Sequence, residues 1–256
     1  MDKKRPLVTL VVAVFNGAGT VQRCIDSFAK QTYPSKELLI MDGGSTDATV
    51  DILKANQDRI TYWESKPDRG IYHAWNKALE RSKGEWICFL GADDYFATDS
   101  SLEHLVSAAV SGACDVVCAR GEYIDTEGSE RRIWGEPWRW DTMKKEQRIC
   151  HPGALYHRRL FEKFGHFSEK YKTAGDYEFN LRLGADIRAC FLDEVTVCLS
   201  GGGVSRAKWV SAILERTLLQ SRHKEIGPVR ASWNGIDTLV KVAMLRILES
   251  LGYKRG

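Results

Sequence analysis

The chain has 256 residues, 43% of them hydrophobic, with 37 Lys and Arg against 34 Asp and Glu for a formal net charge of +3. That much apolar material builds a packed core and excludes disorder as the main state, and so even a charge balance argues against nucleic acid as the main partner. Seven cysteines, an odd count without a Cys-x-x-Cys pair, indicate neither a zinc site nor a disulfide framework and fit a reducing, cytoplasmic setting.

From Leu7 onward short β-rich runs alternate with helical ones, the pattern of an α/β fold with a largely parallel sheet. Residues 7–15 read as a buried strand, too short to span a membrane and without the small-residue cleavage site of a signal peptide. Val21, Cys24, Ile25 and Phe28 recur at helical spacing up to the stop at Tyr33-Pro34. Next come a strand at 37–41, a helix at 46–55, a strand at 60–64, a helix at 71–82, a strand at 85–90, a helix at 100–110 and a strand at 115–119. The Trp-rich, charged stretch that follows, with Trp134, Trp138 and Trp140, reads as irregular structure or a β-ribbon. Order returns with a helix at 158–164, a helix starting near Asp176 and two strands, 187–192 and 195–199. The tail from about Ala207 is helical with a break at Gly227-Pro228.

In an open parallel α/β sheet ligands bind outside the carboxyl ends of the strands, so the loops that follow strands carry the chemistry. Asp42-Gly43-Gly44-Ser45-Thr46-Asp47 turns sharply, offers amide N–H groups at the start of a helix, and places Asp42 to accept hydrogen bonds from a base or ribose. The same residues also make a well-formed turn with an N-cap. Gly91-Ala92-Asp93-Asp94 sets two like charges side by side at a strand end, a costly arrangement that a hard divalent ion such as Mg²⁺ or Mn²⁺ on a diphosphate would relieve, although a solvated acidic turn has the same sequence. In Lys66-Pro67-Asp68-Arg69-Gly70, Arg69 suits either a phosphate or an acidic neighbour.

It is the order of these motifs that resembles a known family. A strand, Phe15-Asn16, a helix, a strand, Asp-Gly-Gly-Ser-Thr-Asp, then Asp-Arg-Gly followed by Asn76, then Gly-Glu-Trp-Ile-Cys-Phe-Leu-Gly-Ala-Asp-Asp resemble the nucleotide-binding half of the family 2 glycosyltransferases, over about residues 7–205. The resemblance implies a GT-A fold, with a Rossmann-like, mixed but mostly parallel sheet flanked by helices. It also implies an inverting hexosyl or N-acetylhexosaminyl transfer from a nucleotide-sugar, a UDP-sugar first, to a saccharide or lipid-linked saccharide acceptor in surface polysaccharide synthesis. Carried over residue by residue, Asp94 becomes the metal ligand, Asp93 a ribose or metal contact, and Phe15, Asn16, Asp42 and Arg69 the nucleotide side, with Mn²⁺ or Mg²⁺ as cofactor. Many relatives have a second Asp where this chain has Gly43, and begin an Asp-x-Asp triplet where it has Gly91. Base recognition therefore rests on Asp42 or backbone groups, and metal binding on Asp93 and Asp94.

Downstream, Thr173-Ala174-Gly175-Asp176-Tyr177-Glu178 resembles the family's acceptor-side segment, where a carboxylate opens a helix. Asp176 is then the general base of the transfer, a role the positive end of a helix supports by favouring negative charge, although an N-cap has the same position. His151, upstream of this base, and the loop Ser200-Gly201-Gly202-Gly203-Val204-Ser205, with Arg206 beyond it, stand as acceptor or phosphate contacts; a satisfied loop histidine and a simple turn are the plainer readings. These expectations divide the chain at 1–205 (nucleotide half to about 120, acceptor half from 121) and 206–256. In the tail, Ile236, Val240, Ala243, Ile247 and Leu251 form an apolar stripe flanked by cations; packing on the domain or on a second subunit is the commoner fate of such a helix, and a peripheral membrane surface the other. A catalytically inactive nucleotide-sugar or glycan-binding module is the alternative to an enzyme, and retention of both Asp94 and Asp176 opposes it.

Overall fold

A computed structural model describes residues 5–125, 128, 130–201 and 209–250. The first half is β1 (Val8–Val14), α1 (Val21–Ala29), β2 (Lys36–Asp42), α2 (Thr49–Ala55), β3 (Tyr62–Ser65), α3 (Ile71–Arg81) and β4 (Trp86–Gly91). β1 is buried on both faces because helices cover both sides of the sheet, which is why its sequence is a continuous run of β-branched and apolar residues. Its alternate residues serve two cores: Val8, Leu10, Val12 and Val14 pack with Ile25 and Phe28 of α1, while Val11 packs with Tyr72, Phe89, Phe167 and Phe179.

The strands lie in the order β3-β2-β1-β4, all parallel. The chain winds outward from β1 to β3 and then returns to place β4 on the other side of β1. The loops after β1 and β4 therefore diverge and leave a crevice at the carboxyl edge.

The second half is β5 (Tyr95–Phe96), α4 (Ser101–Gly112), β6 (Val116–Ile124), β7 (Arg131–Trp134), α5 (Trp140–Met143), β8 (Leu155–His157), α6 (Arg159–Phe164), α7 (Gly175–Leu183), β9 (Ala189–Ser200), α8 (Trp209–Arg222) and α9 (Gly227–Ser250). The sheet continues β4-β8-β6-β9-β5, with β7 paired to β6. β8 is antiparallel to both β4 and β6, and β9 is parallel to β6. The end of β9 and the start of β8 consequently share the edge where β1, β2, β3 and β4 finish.

One expected pair of strands is revised. The strands expected at 187–192 and 195–199 are one strand, because pairing with β6 runs through the interruption: Leu192 faces Ala119 and Val195 faces Arg120. The two intervening residues bulge out, where Asp193 meets Arg120 and Glu194 lies 2.8 Å from His104. The stretch after Arg120 does form a ribbon, β6 with β7.

The tail packs on the domain, though not through its stripe: Leu219, Ile226 and Ala231 join the second core. α8 and α9 also dock on the domain through polar contacts, Gln220 donating to the Lys145 carbonyl at 2.7 Å and to the Tyr177 hydroxyl at 2.8 Å, and Trp140 donating to Glu225 at 3.0 Å. Gly235 sets which side of α9 faces α8, since a Cβ there would lie 2.5 Å from the Thr217 hydroxyl oxygen. The stripe is thereby turned outward, with Ile236 55% and Val240 51% exposed. The Ile247 side chain and Leu251 lie outside the described residues. Among the described residues no helix is long and apolar enough to cross a membrane.

Candidate active site

Five strand ends and one helix start meet at the carboxyl edge. After β1, Asn16 takes a left-handed conformation (φ 51°), which asparagine tolerates better than most residues. Its backbone N–H donates to the Ser45 hydroxyl at 2.7 Å and its side-chain oxygen accepts the Thr46 N–H at 2.8 Å, so the loops after β1 and β2 are held together. Phe15 beside it is 64% exposed, with its ring edge 3.4 Å from where a Cβ on Gly43 would sit.

Asp42 is fully buried and turned into its own loop. It accepts from the N–H groups of Gly44 (3.2 Å) and Ser45 (3.0 Å), from the Ser45 hydroxyl, and from the Ser65 hydroxyl at 2.5 Å. A second carboxylate stands at this place: one oxygen of Asp68 lies 2.9 Å from where a Cβ on Gly43 would sit, and the other accepts the Gly70 N–H at 2.8 Å. Arg69 is engaged by Glu169 at 2.6 and 2.9 Å.

At the end of β4, Asp94 is 8% exposed, with the Ser200 N–H donating to one oxygen at 3.0 Å and the Gly91 N–H to the other at 3.3 Å. Burial first, and the charge of Asp93 second, push its carboxyl up to about 7; the two N–H donors and Arg23 pull it down less. Burial raises Asp93 as well. Arg23 rests over the Tyr95 ring at 4.3 Å and donates to the Asp93 carbonyl and the Ser200 hydroxyl, both at 2.8 Å. Among the described residues no group of three or more His, Cys, Asp or Glu side chains is set to hold a metal. A cation here would have the two adjacent carboxylates as its protein ligands, with other oxygens completing its shell.

Asp176 stands at the second position of α7, half-buried. Tyr72 donates its hydroxyl to one carboxylate oxygen at 3.0 Å and Gln147 its amide to the other at 2.7 Å. Burial, then the charge of Asp176, hold the Tyr72 phenol far above its ordinary value, so it stays a donor. Gly175 is required next door: a Cβ would lie 2.7 Å from the Tyr72 ring. His151 is buried and stacked on Trp75 (centroids 5.4 Å apart), and its Nε2 has no hydrogen-bond partner among the described residues. Burial lowers its pKa, so the ring is neutral.

Both acidic centres lie at the carboxyl edge of the sheet: Asp94 follows β4, and Asp176 is held by Tyr72, which follows β3, and by Gln147, which precedes β8. Gly202, Ser205 and Arg206 lie outside the described residues. Sequence reasoning missed Tyr72, Gln147, Arg23, Asp68 as a second carboxylate beside Gly43, and Glu215. The last reaches from α8 to accept the N–H groups of Lys172 (2.7 Å), Thr173 (2.8 Å) and Ala174 (3.2 Å), which immediately precede α7.

A parallel sheet with its switch point beside a paired-acid turn, continued by a mixed half whose strand ends share the same edge, is the GT-A architecture of glycosyltransferases. Solved structures agree on the fold. The chain superposes on S. aureus TarS residues 1–349 in complex with UDP-GlcNAc with a TM-score of 0.67, 18% identity and coverage of 91% of this chain and 71% of that one. It superposes on the mannosyltransferase PcManGT from Pyrobaculum calidifontis in complex with GDP-Man and Mn²⁺ with a TM-score of 0.62, 17% identity and coverage of 98% and 82%. Residues 9–165 match the sequence profile of Glycosyl transferase family 2. The chain is also 31% identical over 180 residues, 69% of each protein, to a PGL/p-HBAD biosynthesis glycosyltransferase of Mycobacterium tuberculosis. With the chondroitin synthase of Pasteurella multocida it shares 29% over 185 residues, 70% of this chain and 19% of that protein. The protein belongs to glycosyltransferase family 2 and is an enzyme of that family.

Proposed function

We propose that this enzyme is an inverting, divalent-metal-dependent transferase that moves a hexosyl or N-acetylhexosaminyl group from a UDP-sugar to a saccharide or lipid-linked saccharide of a surface polysaccharide or glycolipid. The observation that carries the reading is that an oriented carboxylate, Asp176, and the adjacent carboxylates of Asp93 and Asp94 stand at the same carboxyl edge of the sheet. Tyr72 and Gln147 use one lone pair on each Asp176 oxygen and fix the plane of the carboxylate, leaving it free to accept the proton of an acceptor hydroxyl as that oxygen attacks the anomeric carbon. No covalent intermediate on the protein is required.

Asp93 and Asp94 fit a Mg²⁺ or Mn²⁺ ion because they are adjacent hard oxygen donors whose charged forms burial disfavours, with the charge of Asp93 adding to that on Asp94. Such an ion supplies charge stabilisation to the departing diphosphate. Arg23, held against Tyr95 beside the same turn, is a further cation on that side. Phe15 offers a stacking surface for a base, and Asp68 a carboxylate for its N–H groups. Relatives with UDP-GlcNAc or with GDP-Man and Mn²⁺ bound support a nucleotide-sugar donor and a metal. The mycobacterial and Pasteurella relatives support glycolipid or polysaccharide acceptors.

A melting-temperature panel of UDP, GDP, TDP and CMP, each with and without Mn²⁺, tests the donor side. A ligand at a thousand times its dissociation constant stabilises a fold by about 4 kcal/mol. UDP with Mn²⁺ is expected to give the largest shift, and a shift with GDP alone would reassign the base.

Glu215 positions the proposed base without touching substrate. Glu215→Ala frees three N–H groups before α7, and a displacement there of the order of 1 Å lowers kcat by up to about 10²-fold. The donor KM is expected to hold, because the paired-acid turn is not part of that contact. Equal changes in kcat and donor KM would show a general loss of structure instead.

A further inference from the structure

Among the described residues, each helix of the hairpin α8–α9 leaves an apolar stripe exposed. Val210, Leu214 and Leu218 follow one another at intervals of four on α8, and Val229, Trp233, Ile236, Val240 and Met244 at intervals of three and four on α9; all are exposed, Trp233 at 73% and Val229 at 85%. At 3.6 residues per turn these spacings put each set on a single side of its helix. The opposite sides are spoken for. Ile213, Leu219 and Gln220 of α8 are buried, and Ala231 and Gly235 of α9 are buried with Asn234 bonded to Gln220 at 3.2 Å.

Charge decides what these stripes suit. Residues 206–256 contain ten Lys and Arg against four Asp and Glu, a net +6, while residues 1–205 contain 27 against 30, a net −3. Arg222, Lys224 and Arg230 are exposed around the turn between the helices, beside the apolar stripes. A surface patterned for self-association gains nothing from such an excess of one sign, since two copies would bring like charges together. An anionic bilayer complements it in both respects: it takes up an apolar face at the depth of the headgroups, and each basic residue near the surface adds about fivefold to the affinity.

We propose that the outward face of the α8–α9 hairpin binds an anionic phospholipid bilayer, with Trp233, Ile236, Val240 and Met244 inserted and the basic turn lying on the headgroups. The other side of this hairpin carries Glu215, which holds the segment leading into α7. Docking would therefore bring the acceptor side of the cleft close to the bilayer, a convenience for lipid-linked acceptors that rests on the function proposed above; the binding itself does not.

Flotation of the full chain with phosphatidylglycerol–phosphatidylcholine vesicles and with phosphatidylcholine vesicles, at low and high salt, tests it. Binding is expected to the anionic vesicles alone and to weaken with salt. Trp233→Glu with Val240→Glu is expected to lower that binding at least tenfold, and Arg222→Gln with Lys224→Gln and Arg230→Gln by about a hundredfold. The melting temperature and the rate of UDP-sugar hydrolysis are expected to stay at wild-type values in both variants. Failure to float with either vesicle overturns the proposal, as does equal flotation with both. So does a dimer that sediments without lipid and dissociates in Trp233→Glu, which would assign the face to a second copy. Because flotation needs no sugar transfer, an enzyme that floats but transfers nothing from any UDP-sugar counts against the proposed function alone.

Discussion

Asp176→Asn is expected to lower glycosyl transfer by about 10²–10⁴-fold, the usual worth of a positioned general base, without loss of fold. The amide can be accommodated where the carboxylate now sits. Its oxygen can take the Gln147 donor, and its nitrogen can face the Tyr72 hydroxyl oxygen, which accepts as readily as it donates. What disappears is the capacity to hold a proton from the acceptor. The melting temperature and the shift caused by nucleotide plus metal should match wild type, while single-turnover transfer should fall. Transfer within a few-fold of wild type would remove Asp176 from the mechanism.

Asp94→Asn is expected to act in two opposite directions. Turnover should fall by about 10²–10³-fold, since an amide is a poor ligand for a hard cation and the diphosphate loses the charge that steadies it. Stability of the metal-free protein should rise at neutral and alkaline pH. The Asp94 carboxyl moves from 3.8 to about 7 on folding, chiefly through burial and then through Asp93. Between those values the native state binds the proton that the unfolded chain has released, so stability falls as pH climbs from about 4 to 7 and the whole loss is present above 7. Three units correspond to about 4 kcal/mol. Asparagine escapes this loss while retaining the 3.0 Å bond from the Ser200 N–H, and gives up the weaker 3.3 Å bond from Gly91. Melting curves of both proteins in chelator should coincide near pH 4 and separate by pH 8, with the variant higher. Parallel curves across that range would contradict this account of Asp94.

The nucleotide half was legible because each of its elements is specified locally. β1 and β4 are unbroken apolar runs, α1 carries a clean stripe, and glycine-rich turns separate them. β8 was not legible: three residues, Leu155–His157, become a strand only because β4 and β6 lie on either side. β9 was read as two strands since Asp193 and Glu194 interrupt its pattern, and only the partner strand shows that pairing resumes beyond them. The paired acids and Asp176 stood out through the order of the motifs around them. Tyr72 and Gln147 did not, since their significance exists only across separations of 104 and 29 residues. A signal for Tyr72 was present: a hydroxyl on the apolar side of α3, which burial obliges to find a partner. Gln147 sits in a charged stretch without periodicity, where nothing marks it. Asp42 was prominent for a different reason from the one expected, because its carboxylate is spent on building the loop that displays its neighbours.

The Glu215 bridge bears on how this enzyme can be re-engineered. Three amides in the 172–174 turn find their acceptor in a helix some forty residues further along the chain. A hybrid that swapped the terminal hairpin for a foreign one, leaving that turn as it is, would strand those amides and let the neighbouring acid drift. Turn and hairpin are therefore to be exchanged as a unit, and a hybrid carrying both should keep the 172–174 amides bonded.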